Sequence, residues 1–124
     1  MTSMSRPIYQ LKADFFKTLA HPARIRVLEV LRGGERSVSE LIPEVGLEAS
    51  HLSQQLGVMR RANLLKTRKV GTTVLYSVTD QRIFELLEVA KAILSSSLVG
   101  TQTLLAELKS LDFSQPRSRR RRSS

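Results

Sequence analysis

The chain has 124 residues, with 20 Lys and Arg against 11 Asp and Glu for a formal charge of +9, and neither Cys nor Trp. This size suits one basic domain that buries a core without covalent staples, and the missing thiols exclude a disulfide framework, a thiol nucleophile and a zinc–thiolate site. The longest uncharged stretch, residues 92–106, is interrupted by Ser, Thr, Gln and Gly and falls short of the ~20 apolar residues of a membrane span. No apolar signal core precedes a small-residue cleavage site near the N-terminus, so the expected location is the cytoplasm, with no membrane partner.

Residues 8–19 place Ile8, Leu11, Phe15 and Leu19 at helical spacing, predicting a first amphipathic helix that packs through Leu11, Phe15, Phe16 and Leu19. His21-Pro22 breaks it and opens a second helix, with His21 as N-cap and Pro22 in the first turn. That helix runs to Gly33-Gly34, where the glycine pair supplies a left-handed stop. Ser37-Val38-Ser39-Glu40 is a capping-box pattern and starts a short third helix that ends by Gly46, with Leu41, Ile42 and Val45 on its buried side. A fourth helix follows over residues 50–62, with Leu52, Leu56 and Met59 on one face. The third and fourth helices with their short turn outline a helix-turn-helix.

After Asn63 the period changes from 3.6 to 2. Residues 65–70 and 73–78 read as the strands of a hairpin turning at Gly71-Thr72, the first strand being basic. Asp80 caps a last long helix whose stripe of Ile83, Leu86, Leu87, Ala90, Ile93 and Leu94 continues less regularly to Leu108. The expected domain spans residues 1–112, and residues 113–124, rich in Ser and Arg, read as a disordered tail.

The charge divides along this order. Arg117 and Arg119 to Arg122 supply five positive charges, so residues 1–116 carry fifteen basic and eleven acidic side chains, a net +4. Residues 49–79 contain no Asp or Glu but hold Arg60, Arg61, Lys66, Arg68 and Lys69. A local, acid-free basic region points to a polyanion, nucleic acid foremost. On the fourth helix, steps of 100° per residue set Ser50, Gln54, Gly57 and Arg61 opposite the Leu52 face, with His51 and Val58 flanking them. Gln pairs bidentately with adenine, Arg reads guanine or clamps phosphate, and a side chain missing at Gly57 lets a bulky partner approach the backbone. Helix-turn-helix followed by a basic hairpin is the winged-helix order, and Arg68 and Lys69 near the tip would lie along phosphates. Tyr76 either joins that contact or faces the core.

HPARIRVLEVL (21–31), SVSELIPEVGLEASHLSQQLGVMRRANLL (37–65) and GTTVLYSV (71–78) resemble the ArsR family of bacterial winged-helix repressors, over residues 12–95. The run from Ser50 to Leu65 carries the most specific part of the likeness. The resemblance implies a mainly α fold with a β-hairpin, and a homodimer built through the first and last helices, here through Leu11, Phe15, Leu86, Ala90, Ile93 and Leu94. It further implies an imperfect palindrome in a double-stranded promoter as target. By motif position Ser50, His51, Ser53, Gln54 and Gln55 fall where family members contact bases. Arg60, Arg61, Arg68, Lys69 and Thr72 are the candidate backbone contacts.

Many family members sense metals through Cys-Val-Cys at the start of the third helix, where this chain has Ser37-Val38-Ser39, and hydroxyls are poor ligands for thiophilic ions. A second family site uses Asp and His on the last helix, and residues 80–108 hold no His. Only carboxylates remain as a metal-ligand set, so no metal or cofactor is expected and the inducing signal is open: an unidentified small organic effector, oxidation at Met4 or Met59, or none. Asn63 stands where the family uses Gly, and Asn tolerates the left-handed conformation. No nucleophile elbow, phosphate loop or metal-binding helix motif supports an enzyme. The alternative is an architectural protein that coats nucleic acid through charge alone. The tail reads as a solvated end, a DNA-anchoring arm or a gene-boundary artefact.

Overall fold

The computed structural model describes residues 6–110, in the order α1 (Ile8–Leu19), α2 (Pro22–Leu31), β1 (Arg36–Ser37), α3 (Val38–Val45), α4 (Ala49–Arg61), β2 (Leu65–Val70), β3 (Thr73–Val78) and α5 (Arg82–Ser110). The expected tail lies outside the described residues. Two compact units divide between Leu87 and Glu88.

Local chemistry accounts for most boundaries in the first unit. His21 is extended and its Nδ1 accepts from the Ala23 N–H (3.2 Å), so an imidazole caps α2 with Pro22 in its first turn. Ser37 Oγ accepts from the Glu40 N–H (3.3 Å) while Glu40 Oε1 accepts from the Ser37 N–H (2.9 Å), a complete capping box. Gly46 closes α3 with a left-handed φ of 82°. Asn63 takes φ 63° between α4 and β2, the left-handed step expected of it. Asp80 Oδ1 accepts from the Arg82 N–H (2.9 Å) at the start of α5, as expected of a cap.

Four details differ from the sequence reading. The second helix ends at Leu31, short of the glycine pair, and only Gly34 has a positive φ (122°). The fourth helix starts and ends one residue early, with Glu48 at its N-cap. A two-residue strand, β1, pairs with β3 through Arg36↔Tyr76 and Ser37↔Leu75, giving the antiparallel order β1-β3-β2. Such a strand is too short to show alternation. On α1 only Leu19 is buried; Leu11, Phe15 and Phe16 remain 46%, 39% and 51% exposed.

The core assembles Val27 and Leu28 of α2, Leu41 of α3, Leu52, Leu56 and Met59 of α4, and Leu65 of β2, all essentially inaccessible. Each buried side chain of this size contributes about 1.5–3 kcal/mol of transfer free energy. Val78 and Ile83 extend the cluster, and Phe84, Leu86 and Leu87 pack against its margin. Tyr76 packs against it too, which decides between its two readings. In the second unit, residues 88–110 of α5 leave Val89, Ile93, Leu94, Leu98, Leu104, Leu105 and Leu108 exposed. Among the described residues no helix is long and apolar enough to cross a membrane.

Candidate nucleic-acid interface

Because Leu52, Leu56 and Met59 are sunk in the core, the opposite side of α4 must face outward. Ser50, His51, Ser53, Gln54, Arg60 and Arg61 are exposed there, with Gly57 and Val58 half-buried. Ser50 Oγ donates to Glu48 Oε1 (3.1 Å), and Glu48 sits at the helix N-terminus where negative charge is favourable. Arg60 and Arg61 occupy the last turn, where the macrodipole favours cations. The Arg61 guanidinium lies beside Gly57, 3.3 Å from where a Cβ would stand, so the bare site is partly screened by a flexible side chain.

Gln55 corrects the sequence reading. It is only 7% exposed, and its Oε1 accepts from Arg24 Nε (2.8 Å), whose Nη1 donates to the Thr18 carbonyl (2.9 Å). A carboxamide so placed is unavailable to a base. Helical stepping carries the signal, since Gln55 falls about 60° from Leu52, on the buried side. The Thr18–Arg24–Gln55 link ties the end of α1 and the start of α2 to α4.

In the hairpin, Leu65↔Val78 and Thr67↔Tyr76 face the core, while Lys66↔Ser77, Arg68↔Leu75 and Val70↔Thr73 form the other face. Gly71 has φ 64° and Thr72 does not share the positive φ, the pattern of a two-residue turn with glycine first. Lys69 and Thr72 stand exposed at that end. Arg68 is exposed as well but engaged: its Nε and Nη2 donate to Glu35 Oε2 and Oε1 at 2.6 and 2.7 Å. These hydrogen bonds, with the charges of Arg68 and Lys66, hold the Glu35 carboxyl below its ordinary value. The sequence reading missed this partner, since Glu35 and Arg68 lie 33 residues apart and meet only through the sheet.

Of the residues expected at a dimer interface, Leu11, Phe15, Ala90, Ile93 and Leu94 are exposed and Leu86 is half-buried. Phe15 and Leu86 line one cavity with Leu64 and Ile83. The positions corresponding to the family's metal cysteines do not fit a metal. Ser37 is nearly buried and its Oγ serves the capping box and lies 3.1 Å from Ser39 Oγ. Among the described residues no three His, Asp or Glu side chains come together.

Residues 19–68 match the family model described as a helix-turn-helix domain. An uncharacterized HTH-type transcriptional regulator of Mycobacterium tuberculosis (strain H37Rv) is 52% identical over 106 residues, covering 85% of this chain and 93% of that one. The chain belongs to the ArsR-type family of winged helix-turn-helix transcriptional regulators. The crystal structure of that M. tuberculosis family member superposes with a TM-score of 0.70 at 54% identity, over 78% of this chain and 98% of the other. The biofilm growth-associated repressor of Agrobacterium fabrum is 40% identical over 65% of this chain and 69% of its own. At 23% identity, a homodimeric winged helix-turn-helix domain from Mycobacterium bovis, a possible ArsR-family regulator, shares the fold (TM-score 0.65, 73% and 84% covered). This ArsR-type chain is a DNA-binding transcriptional regulator, a class without enzymatic activity.

Proposed function

We propose that the protein is a homodimeric repressor that acts in the cytoplasm on a palindromic promoter site. The observation that carries this reading is the division of α4 into a wholly buried apolar side and an exposed side of Ser50, His51, Ser53 and Gln54, bearing donors and acceptors but no carboxylate. These four residues read base edges in the major groove. Arg60, Arg61, Lys69 and Thr72 hold the phosphates. Leu11 and Phe15 of α1 and Leu86, Ala90, Ile93 and Leu94 of α5 meet their counterparts in a second copy, which accounts for apolar side chains left exposed in one chain. The family's metal sites are not used, because Ser37 is committed to capping α3. Induction falls to a small organic effector or to no ligand.

Footprinting of the purified protein on its own upstream DNA, with competition by random duplex, tests the proposal. A protected palindrome preferred by on the order of a thousandfold at physiological salt is expected. Equal competition by random duplex would replace this reading with charge-driven coating of nucleic acid.

A further inference from the structure

Glu35 engages the basic strand of the hairpin through Arg68. It is held in place from behind. Arg36 Nη1 donates to the Gly34 carbonyl (3.1 Å) and to that of Glu35 itself (3.0 Å), and the same guanidinium packs over Gly33, bracing the turn between α2 and β1. β1 is fixed to β3, which fixes β2, so Ser37, Leu75 and Arg68 lie in register across the sheet. The Glu35 carboxylate is consequently delivered to the Arg68 guanidinium in the two-pronged geometry that carboxylate and phosphate both favour. With Arg68 61% and Glu35 32% exposed, the pair is open to solvent on the Arg68 side and exchangeable. Beside it lies a cavity of about 470 Å³ with Leu31 and Val78 in its walls and Lys66 at the same carboxylate's side.

We propose that Glu35 sets the strength of the wing's sequence-independent hold: it occupies the guanidinium of Arg68 that would otherwise bind any DNA phosphate, and so lowers the affinity for nonspecific duplex and its salt dependence. This rests on the reading that the hairpin lies along the phosphate backbone. A phosphate is sequence-blind, so every wing cation left free adds equally to binding at all sites. Pairing Arg68 with a carboxylate subtracts one such cation per chain. Lys69 and Thr72, beyond the reach of that bond at the hairpin end, keep the wing's basal hold.

The test measures binding of full-length protein to a random-sequence duplex across salt concentrations, for wild type, Glu35→Gln, Arg68→Ala, the double variant and Lys69→Ala. Circular dichroism checks that each folds. Glu35→Gln keeps the shape and removes the charge. It is expected to tighten binding at low salt and to steepen the slope of log K against log salt by about 0.9 per engaged wing. That increment is an additional threefold to fourfold loss between 50 and 200 mM salt. Arg68→Ala should change little in the wild-type background and abolish the gain in the Glu35→Gln background. The proposal is overturned if Lys69→Ala flattens the slope while Glu35→Gln leaves it unchanged, which keeps the wing reading and removes the role of Glu35. It is also overturned if Arg68→Ala weakens both backgrounds equally. If neither Lys69→Ala nor Arg68→Ala moves the slope in any background, the wing reading falls and the proposal with it.

Discussion

Helix α4 and residues 88–110 of α5 are both amphipathic, yet among the described residues only the apolar side of α4 is covered. In α4 the apolar residues Leu52, Leu56 and Met59 lose essentially all contact with solvent, and what remains outside is polar. Along residues 88–110, Ile93, Leu94 and Leu98 remain about 60% exposed, within the uncharged run of residues 92–106. The difference separates two kinds of work. On the proposed reading, the surface that meets DNA is finished within the monomer, whereas the one that meets a second copy stays apolar and open until that copy covers it.

The largest expected effect tests the unfinished helix. Replacing Ile93 and Leu94 together by Asp should turn a dimer into a monomer in analytical ultracentrifugation and weaken operator binding by ~10²–10⁴, the avidity lost when two linked contacts become one. A variant that remains dimeric would move the interface elsewhere. Next comes the finished helix: Leu56→Ala should remove about 2–5 kcal/mol of folding stability, read by denaturant melts, because its site is closed on all sides. At the face of α4, Gln54→Ala should lose about 1–3 kcal/mol of discrimination at one base pair. Gln55→Ala, by contrast, should loosen the Arg24 link and depress affinity and stability without favouring any base, and a base-specific loss there would restore Gln55 to the reading set. Gly57→Ala should stabilise the helix by up to ~1 kcal/mol, since the Arg61 guanidinium can move aside, and weaken DNA binding where the backbone approaches its partner.

The smallest effect lies at the caps. The Ser37 backbone and hydroxyl hold the Glu40 carboxyl below its ordinary 4.5, and Arg82 holds Asp80 down from 3.8 to about 2. Both folded values are depressed, so their contribution is complete above the unfolded values and lost as pH falls toward the folded ones. Melting temperature should therefore show no dependence on these two groups at neutral pH and decline between roughly pH 4.5 and 2.

How far the residues announced this architecture depends on the range of the interaction that decides each part. Caps and turns are local, so His21, Ser37 with Glu40, Gly46, Asn63, Gly71 and Asp80 could be placed from the order of side chains alone. The buried side of α4 followed from its period. The same period placed Gln55 inward, and motif position alone had placed it among the base readers. Contacts between distant segments left no such trace. β1 has two residues and no pattern, and Glu35 reaches Arg68 only because β3 lies between β1 and β2. The exposure of Phe16 on α1 was equally invisible, and for Phe15 only the family resemblance pointed to an interface, because a helical stripe reports that something will cover it and not which molecule does.

The strand order β1-β3-β2 has one more consequence. It leaves β2 as a sheet edge, with unpaired backbone groups that could template a strand from another molecule. That edge carries Lys66, Arg68 and Lys69, so a second β2 laid against it would bring like charges face to face. Lys66 and Lys69 thereby disfavour the addition of one free hairpin to another through this edge.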